Sequence, residues 1–352
     1  MAWKRKEKKL TPDEAIALAK KELAPFWIGS EPLFAAIKAG ETVSVHPLSG
    51  LFSKKPWLLV FVDPTEFLGF IEIELAKIWH KRYHTHGLGF LGVLAPRYSF
   101  LKDPASVRLM IEREKLSYPF VLDSEQNIAS AFGTSKYGKM FLFEKGKTLF
   151  THTFTEWESK TEDRIQDFLR ERDPGLPLFP IYQGEKKYQI VRNSIEMGLG
   201  KGATFPAPGF HPGHGGFHMG EFGNQRPAVL KERELFLQGS WLQDSERIAT
   251  SDRNAVLALH PHAKHFSIVA QSLSRTNEAV RIVVEVNGKP AFDNVQGENV
   301  NWSDEGEAFV KVKAGDLYHI LRNLPPDERE VTLTFPRADR VPVAIYGLRF
   351  SD

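Results

Sequence analysis

The chain has 352 residues, of which 42% are hydrophobic and 26% charged, enough apolar material for two ordinary cores. A net charge of +2 gives no bulk attraction to nucleic acid, and the absence of cysteine excludes disulfides, thiolate metal ligands and thiol redox chemistry together. No stretch approaches the roughly 18 apolar residues of a membrane span, so no membrane-spanning segment is expected.

The basic start, Lys4 to Lys9, leads into a predicted amphipathic helix with Thr11 as cap, Pro12 at its first position and Glu14 completing a capping box. No uninterrupted apolar run follows the basic residues. They read as a solvated tail and not as an export signal, with weak attraction to an anionic surface as the alternative. Residues 1–34 form this lead-in, and without an export signal the expected location is the cytoplasm. A hairpin is predicted next, where Gly40-Glu41 precedes the alternating Thr42-Val43-Ser44-Val45.

An apolar run of strand length, Trp57 to Val62, stops at Asp63-Pro64, where a helical pattern begins. Asp63 suits a cap, Pro64 a first helical position, and Glu66 lies where a capping box requires a carboxylate. A strand, a sharp turn and a helix N-terminus resemble the place where thioredoxin-like proteins carry a reactive Cys-x-x-Cys, whose thiolate the helix end stabilises. Here the two positions are Glu66 and Gly69. Glu66 could serve as a cap or as an acid/base group. The helix N-terminus favours its charged form by roughly 0.3–1 kcal/mol, which opposes the raised pKa of a general acid and favours the cap.

Beyond this turn, a helix is predicted from Ile71 to Tyr83, with His80, His84 and His86 at the end where side chains meet the last carbonyls. A buried strand, Leu88 to Leu94, precedes a helix capped at Asp103-Pro104 and running to Arg113. Tyr118 to Asp123 reads as strand into turn, and a short helix is expected at Ala129 to Phe132. The hairpin Lys139–Phe143 and Thr148–Phe154 turns at Lys145-Gly146, and a helix from Glu162 to Arg170 closes this half. The order predicts an α/β domain with a mixed sheet.

Three blocks carry a family resemblance: Leu91-Gly92-Val93-Leu94-Ala95-Pro96, Phe100-Leu101-Lys102-Asp103-Pro104-Ala105-Ser106-Val107-Arg108, and Tyr118-Pro119-Phe120-Val121-Leu122-Asp123. They resemble the thioredoxin-like domain of the DipZ family, whose relatives are the peroxiredoxin-like and cytochrome-maturation thioredoxins. The resemblance implies a thioredoxin-like domain over residues 35–172. It also implies thiol–disulfide exchange outside the cytoplasm, with a cis-proline before the last hairpin facing the cysteines. That proline position falls on Gly138, so Glu66, Gly69 and Gly138 are degenerate redox positions and the family activity is not carried over. Phe67, Leu68, Phe70 and Tyr137 are apolar around this degenerate site and mark an expected interaction face.

Residues 173–233 are rich in proline, glycine, histidine and phenylalanine and read as an ordered connector laid over both domains. His211, His214 and His218 have spacing that would suit metal ligation on a helix, with Glu221 as a fourth donor. Pro212 and the surrounding glycines oppose that helix, so packing of loop histidines on phenylalanines is the favoured reading and no metal or cofactor is expected. His260, His262 and His265 read as turn residues.

From residue 234 to 352 short strands recur at regular spacing, including Ala255–Leu259, Val280–Val286, Ala308–Val312 and Val331–Phe335. They predict an all-β jelly roll or sandwich. Gln238-Gly239-Ser240-Trp241, Val286-Asn287-Gly288-Lys289-Pro290, Leu317-Tyr318 and the final Gly347-Leu348-Arg349-Phe350 resemble the C-terminal, carbohydrate-binding-like module of DipZ proteins. Trp241 and Tyr318 read as core, whereas Trp302 lies in a polar loop and is the candidate ligand contact. Three functions follow, in descending order. They are a non-catalytic scaffold with a protein partner or self-association, a glycan-binding protein acting through Trp302, and a metal-dependent enzyme using the connector histidines.

Overall fold

The computed structural model describes residues 56–352 except 119, 125–128, 130–131, 133, 135–138, 145–146, 154–157, 178, 183–193, 202, 204, 206–208, 214–216, 224, 226, 228–229, 231–233, 293 and 326–329. The predicted N-terminal helix, the hairpin near Thr42, Tyr137, Gly138 and His214 lie outside the described residues. The chain divides into two compact units, Met1–Glu185 and Lys186–Asp352.

In the first unit, β1 (Trp57–Val62) leads into α1 (Phe67–Tyr83), then β2 (Gly89–Leu94), α2 (Pro104–Arg113) and β3 (Phe120–Leu122). A hairpin of β4 (Lys139–Glu144) and β5 (Lys147–Thr153) and a final helix, α3 (Glu158–Arg170), complete it. The sheet order is β3-β2-β1-β4-β5, with β1, β2 and β3 parallel and the hairpin antiparallel. This is a thioredoxin-like arrangement, with β1 central and its C-terminal end feeding the first helix. Alternation along β1 sends Trp57, Leu59 and Phe61 into one cluster with Leu91, Val93, Phe141 and Phe143. The Asp103 carboxylate accepts from the Ser106 amide and holds the start of α2, as its position predicts.

α1 turns Phe67, Glu72, Ile73, Leu75, Ala76, Trp79 and Tyr83 inward, while Glu74 and Lys81 are exposed. Glu72, Ala76, Trp79 and Tyr83 recur every three or four positions, the spacing of a helix face that packs on a core. Its C-terminus is closed by His84, whose amide bonds the His80 carbonyl and whose ring nitrogen Nδ1 meets the same oxygen at 2.7 Å.

The second unit is almost entirely antiparallel β-structure. Its strands are β6 (Ile195–Glu196), β7 (His211–Pro212), β8 (His218–Phe222), β9 (Leu235–Gln243), β10 (Ile248–Thr250), β11 (Val256–Leu259), β12 (His265–Ser272) and β13 (Val280–Val286), then β14 (Lys289–Pro290), β15 (Val300–Trp302), β16 (Ala308–Val312), β17 (Asp316–Leu321), β18 (Val331–Thr334) and β19 (Val343–Ser351). Two sheets share β9. Its first half pairs with β11, and its second half pairs with β8 and β10. The change falls at Gly239, which has φ +84°, and a Cβ there would stand 2.5 Å from an Asp252 carboxylate oxygen. Only glycine makes that bend without strain. A large apolar core is built from alternating positions such as Ala308, Val310 and Val312 on β16 and Ile282 and Val284 on β13.

The stretch expected as a single connector is divided between the units. Phe179, Pro180 and Tyr182 bond to side chains of α1 and α3, while β6 pairs with β19 and β8 with β9. The phenylalanines explain the second attachment, because Phe205, Phe210 and Phe222 stack edge to face and pack on the core of the second unit. A buried arginine, Arg349 at 0% exposure, pairs with Glu196 at 3.1 Å and holds β6 in place.

Candidate functional site

The turn between β1 and α1 holds the two degenerate redox positions that are described. Asp63 is buried at the end of β1, and its Oδ1 accepts from the Thr65 amide at 2.8 Å and the Thr65 hydroxyl at 2.5 Å. The Glu66 amide donates to the Asp63 carbonyl at 3.2 Å. These bonds keep residues 64–66 out of the helix, which therefore begins at Phe67 and not at Pro64.

Glu66 occupies the N-cap position with extended backbone, φ −123° and ψ 143°, but its side chain makes no capping hydrogen bond. The capping-box expectation is corrected at this point. The carboxylate instead accepts from Arg97 Nη1 at 2.6 Å, and Arg97 Nε lies 3.8 Å from Asp63 Oδ2. One guanidinium thus serves both carboxylates of the turn. Arg97 follows β2, which runs parallel to β1 with Val62 opposite Leu94. Parallel neighbours bring their C-terminal loops together, so a cation after β2 was the available signal for this partner.

Gly69 is closed, not merely emptied of its thiol. A Cβ there would stand 1.9 Å from the Asp63 carbonyl oxygen. Any side chain, cysteine included, would have to displace the end of the central strand. Neither position has a sulfur, and disulfide exchange proceeds by attack of a thiolate through a mixed disulfide. The arrangement can hold charge and fix a turn, but it cannot perform that exchange.

The expected interaction face does not survive intact. Phe67 is 1% exposed and belongs to the core, so it is unable to meet a partner; Leu68 is half-buried and next to it. Tyr137 and Gly138 are outside the described residues, and so is the side chain of Phe70.

The histidines are kept apart. Across β7 and β8, His211 faces Met219 and His218 faces Pro212. Neighbouring registers point to opposite faces, so His211 and His218 diverge instead of converging on an ion. Among the described residues no group of three histidine, aspartate or glutamate side chains is placed to hold a metal. Glu221 accepts from the Ser240 hydroxyl at 2.7 Å. At the end of α1, His80 stacks on His84 and touches Phe90 and Tyr118, and burial, aided by the His84 charge, lowers its pKa to about 4. In the second unit Trp241 is core, with its indole N–H on the Gln238 carbonyl, and Tyr318 bonds the Ala314 carbonyl. Trp302 is 42% exposed, and its N–H donates to Gln296 Oε1 at 2.7 Å.

The family match lies in the second unit. A family described as "Thioredoxin like C-terminal domain" matches residues 213–348, under half of the chain. No curated protein matches the chain in sequence. Among solved structures, a thioredoxin-like protein in its oxidised form is 21% identical, covering 38% of this chain and 86% of its own, with a TM-score of 0.33. A secreted disulfide oxidoreductase of Mycobacterium tuberculosis is 14% identical over 34% of this chain and 84% of its own, with a TM-score of 0.28. The exposed lipoprotein thioredoxin of Streptococcus pneumoniae is 17% identical over 35% of this chain and 89% of its own, with a TM-score of 0.30. At these scores the fold of the first unit rests on its own strand order and helix placement, given above. No helix among the described residues is long and apolar enough to cross a membrane.

Proposed function

We propose that this protein is a non-catalytic, thioredoxin-like binding or scaffold protein. The observation that carries the reading is the turn at Asp63–Gly69, where the shape of a redox site is kept while its two reactive positions hold an ion-paired carboxylate and a glycine with no room for a side chain. Recognition passes to other surfaces, and the second unit offers the better one. Met219 and Leu242 are direct partners across β8 and β9, yet they are 51% and 41% exposed, and the exposed Phe217 lies two residues before Met219. An exposed cross-strand apolar pair of this kind marks a contact surface. We assign self-association to it. Sedimentation of the wild-type chain should show concentration-dependent association that Met219→Glu with Leu242→Glu abolishes. A wild-type chain that stays monomeric at every concentration would remove this surface from the reading.

A second reading takes the all-β unit as a DipZ-like jelly-roll sandwich that binds glycans. It rests on one observation, the exposed Trp302 ring whose N–H donates to Gln296. Glycan-array binding that disappears with Trp302→Ala would support it, and an array with no signal would end it.

A further inference from the structure

A chain without cysteine still carries sulfur, here in five methionines. Met110, Met140 and Met197 are buried and Met1 lies outside the described residues, so Met219 is the exposed thioether among those described. Across the sheet, His211 of β7 stands opposite Met219 on one side and Leu242 of β9 on the other, and Leu242 in turn faces Ala249 of β10. Directly opposed residues share a face, so Met219 sits within a row that crosses four strands. The turn before β8 fixes where its side chain lies. The Gly213 amide donates to the Phe217 carbonyl at 2.8 Å, and a Cβ on Gly213 would stand 3.0 Å from Met219 Cγ and 3.3 Å from its Sδ. The thioether therefore lies against this turn, within the apolar surface to which self-association is assigned.

We propose that Met219 is a peroxide-sensitive modification site whose oxidation to the sulfoxide breaks that assembly. The inference rests on the self-association reading and adds its regulation. A lone pair of Sδ attacks one oxygen of hydrogen peroxide, and the O–O bond breaks as the S–O bond forms. The proton on the transferred oxygen passes to the departing hydroxide. Sulfur loses two electrons, the peroxide is reduced, and the products are methionine sulfoxide and one water. A flexible apolar side chain thereby becomes polar and chiral. Its S–O dipole would be costly to bury, because Leu242 and Phe217 beside it offer hydrocarbon alone. Oxidation takes place on the dissociated chain, where Met219 is open to solvent, and holds the chain in that state. Sulfoxide reductases restore the thioether, which makes the change reversible.

The test treats the full chain with hydrogen peroxide, locates the added oxygen by mass spectrometry of proteolytic peptides, and follows assembly by sedimentation. Sulfoxide is expected at Met219 before Met110, Met140 and Met197, with an apparent dissociation constant raised at least about tenfold. Met219→Leu should associate as the wild type does and keep its assembly after peroxide, whereas Met219→Gln should weaken assembly with no peroxide added. Full association of a chain that carries Met219 sulfoxide overturns the proposed regulation and leaves the self-association reading standing. Peroxide-driven loss of assembly in Met219→Leu overturns it as well, because another group would then be responsible. A wild-type chain that is monomeric before any peroxide is added fails the earlier reading, and this inference falls with it.

Discussion

Two carboxylates of the first unit, Glu66 and Glu162, each meet an arginine, and they differ in what else they hold. Glu66 is bound to Arg97 within a single corner of the sheet, beside a turn that Asp63 and Thr65 already stabilise. Glu162 gathers an arginine and a tyrosine hydroxyl from the last turn of α1 and a backbone amide from Tyr182, a hundred residues further along the chain. The first is a local substitution at a site whose chemistry has gone. The second is a tertiary hub, and its removal affects segments far apart in sequence. Similar residue pairs therefore carry different consequences according to how many partners depend on them.

That contrast can be broken by substitution. Glu162→Ala should have the largest effect, because it leaves Arg82, the Tyr83 hydroxyl and the Tyr182 amide without their shared acceptor. Breaking such a buried pair costs about 3–5 kcal/mol, readable as a fall in the urea midpoint of the first unit's transition. Gly69→Ala should follow at about 1–3 kcal/mol, since its methyl group must push the Asp63 carbonyl aside. Glu66→Ala should cost only about 1 kcal/mol, because Arg97 is part-exposed and can turn to solvent. Equal losses for Glu66→Ala and Glu162→Ala would erase the distinction.

A separate prediction concerns acid. His80 has its folded-state pKa lowered to about 4 by burial and by His84, so the native state favours the neutral ring. Its stabilisation is present above the ordinary histidine value near 6.5 and is lost as pH falls toward 4, where protons bind first to the unfolded chain. His80→Phe should flatten the decline in stability between pH 6.5 and 4, and an unchanged slope would assign that decline to other groups.

Local signals were legible where one residue answered to its neighbours. Asp63-Pro64 marked the end of a strand, Asp103-Pro104 the start of a helix, and short apolar runs at regular spacing marked the longer strands of the second unit. Glu66 shows the limit of this reading. Spacing placed it at a helix start, which is where it lies, but its hydrogen bond goes to Arg97 on a different loop. β6 and β7 are two residues long, too short for any period to reveal them, and they exist because β19 and β8 present open edges.

From the chain alone came the cysteine-free chemistry, the strand–turn–helix corner and the succession of an α/β half and a β half, because composition and short-range pattern are properties of neighbours. Only the folded molecule decided that Phe67 turns inward, that Gly69 has no space beside it, and that Phe179 finds a pocket on α1. Each of those outcomes depends on surfaces brought together from distant positions, and solvent exclusion acts on the assembled surface instead of on the residue order.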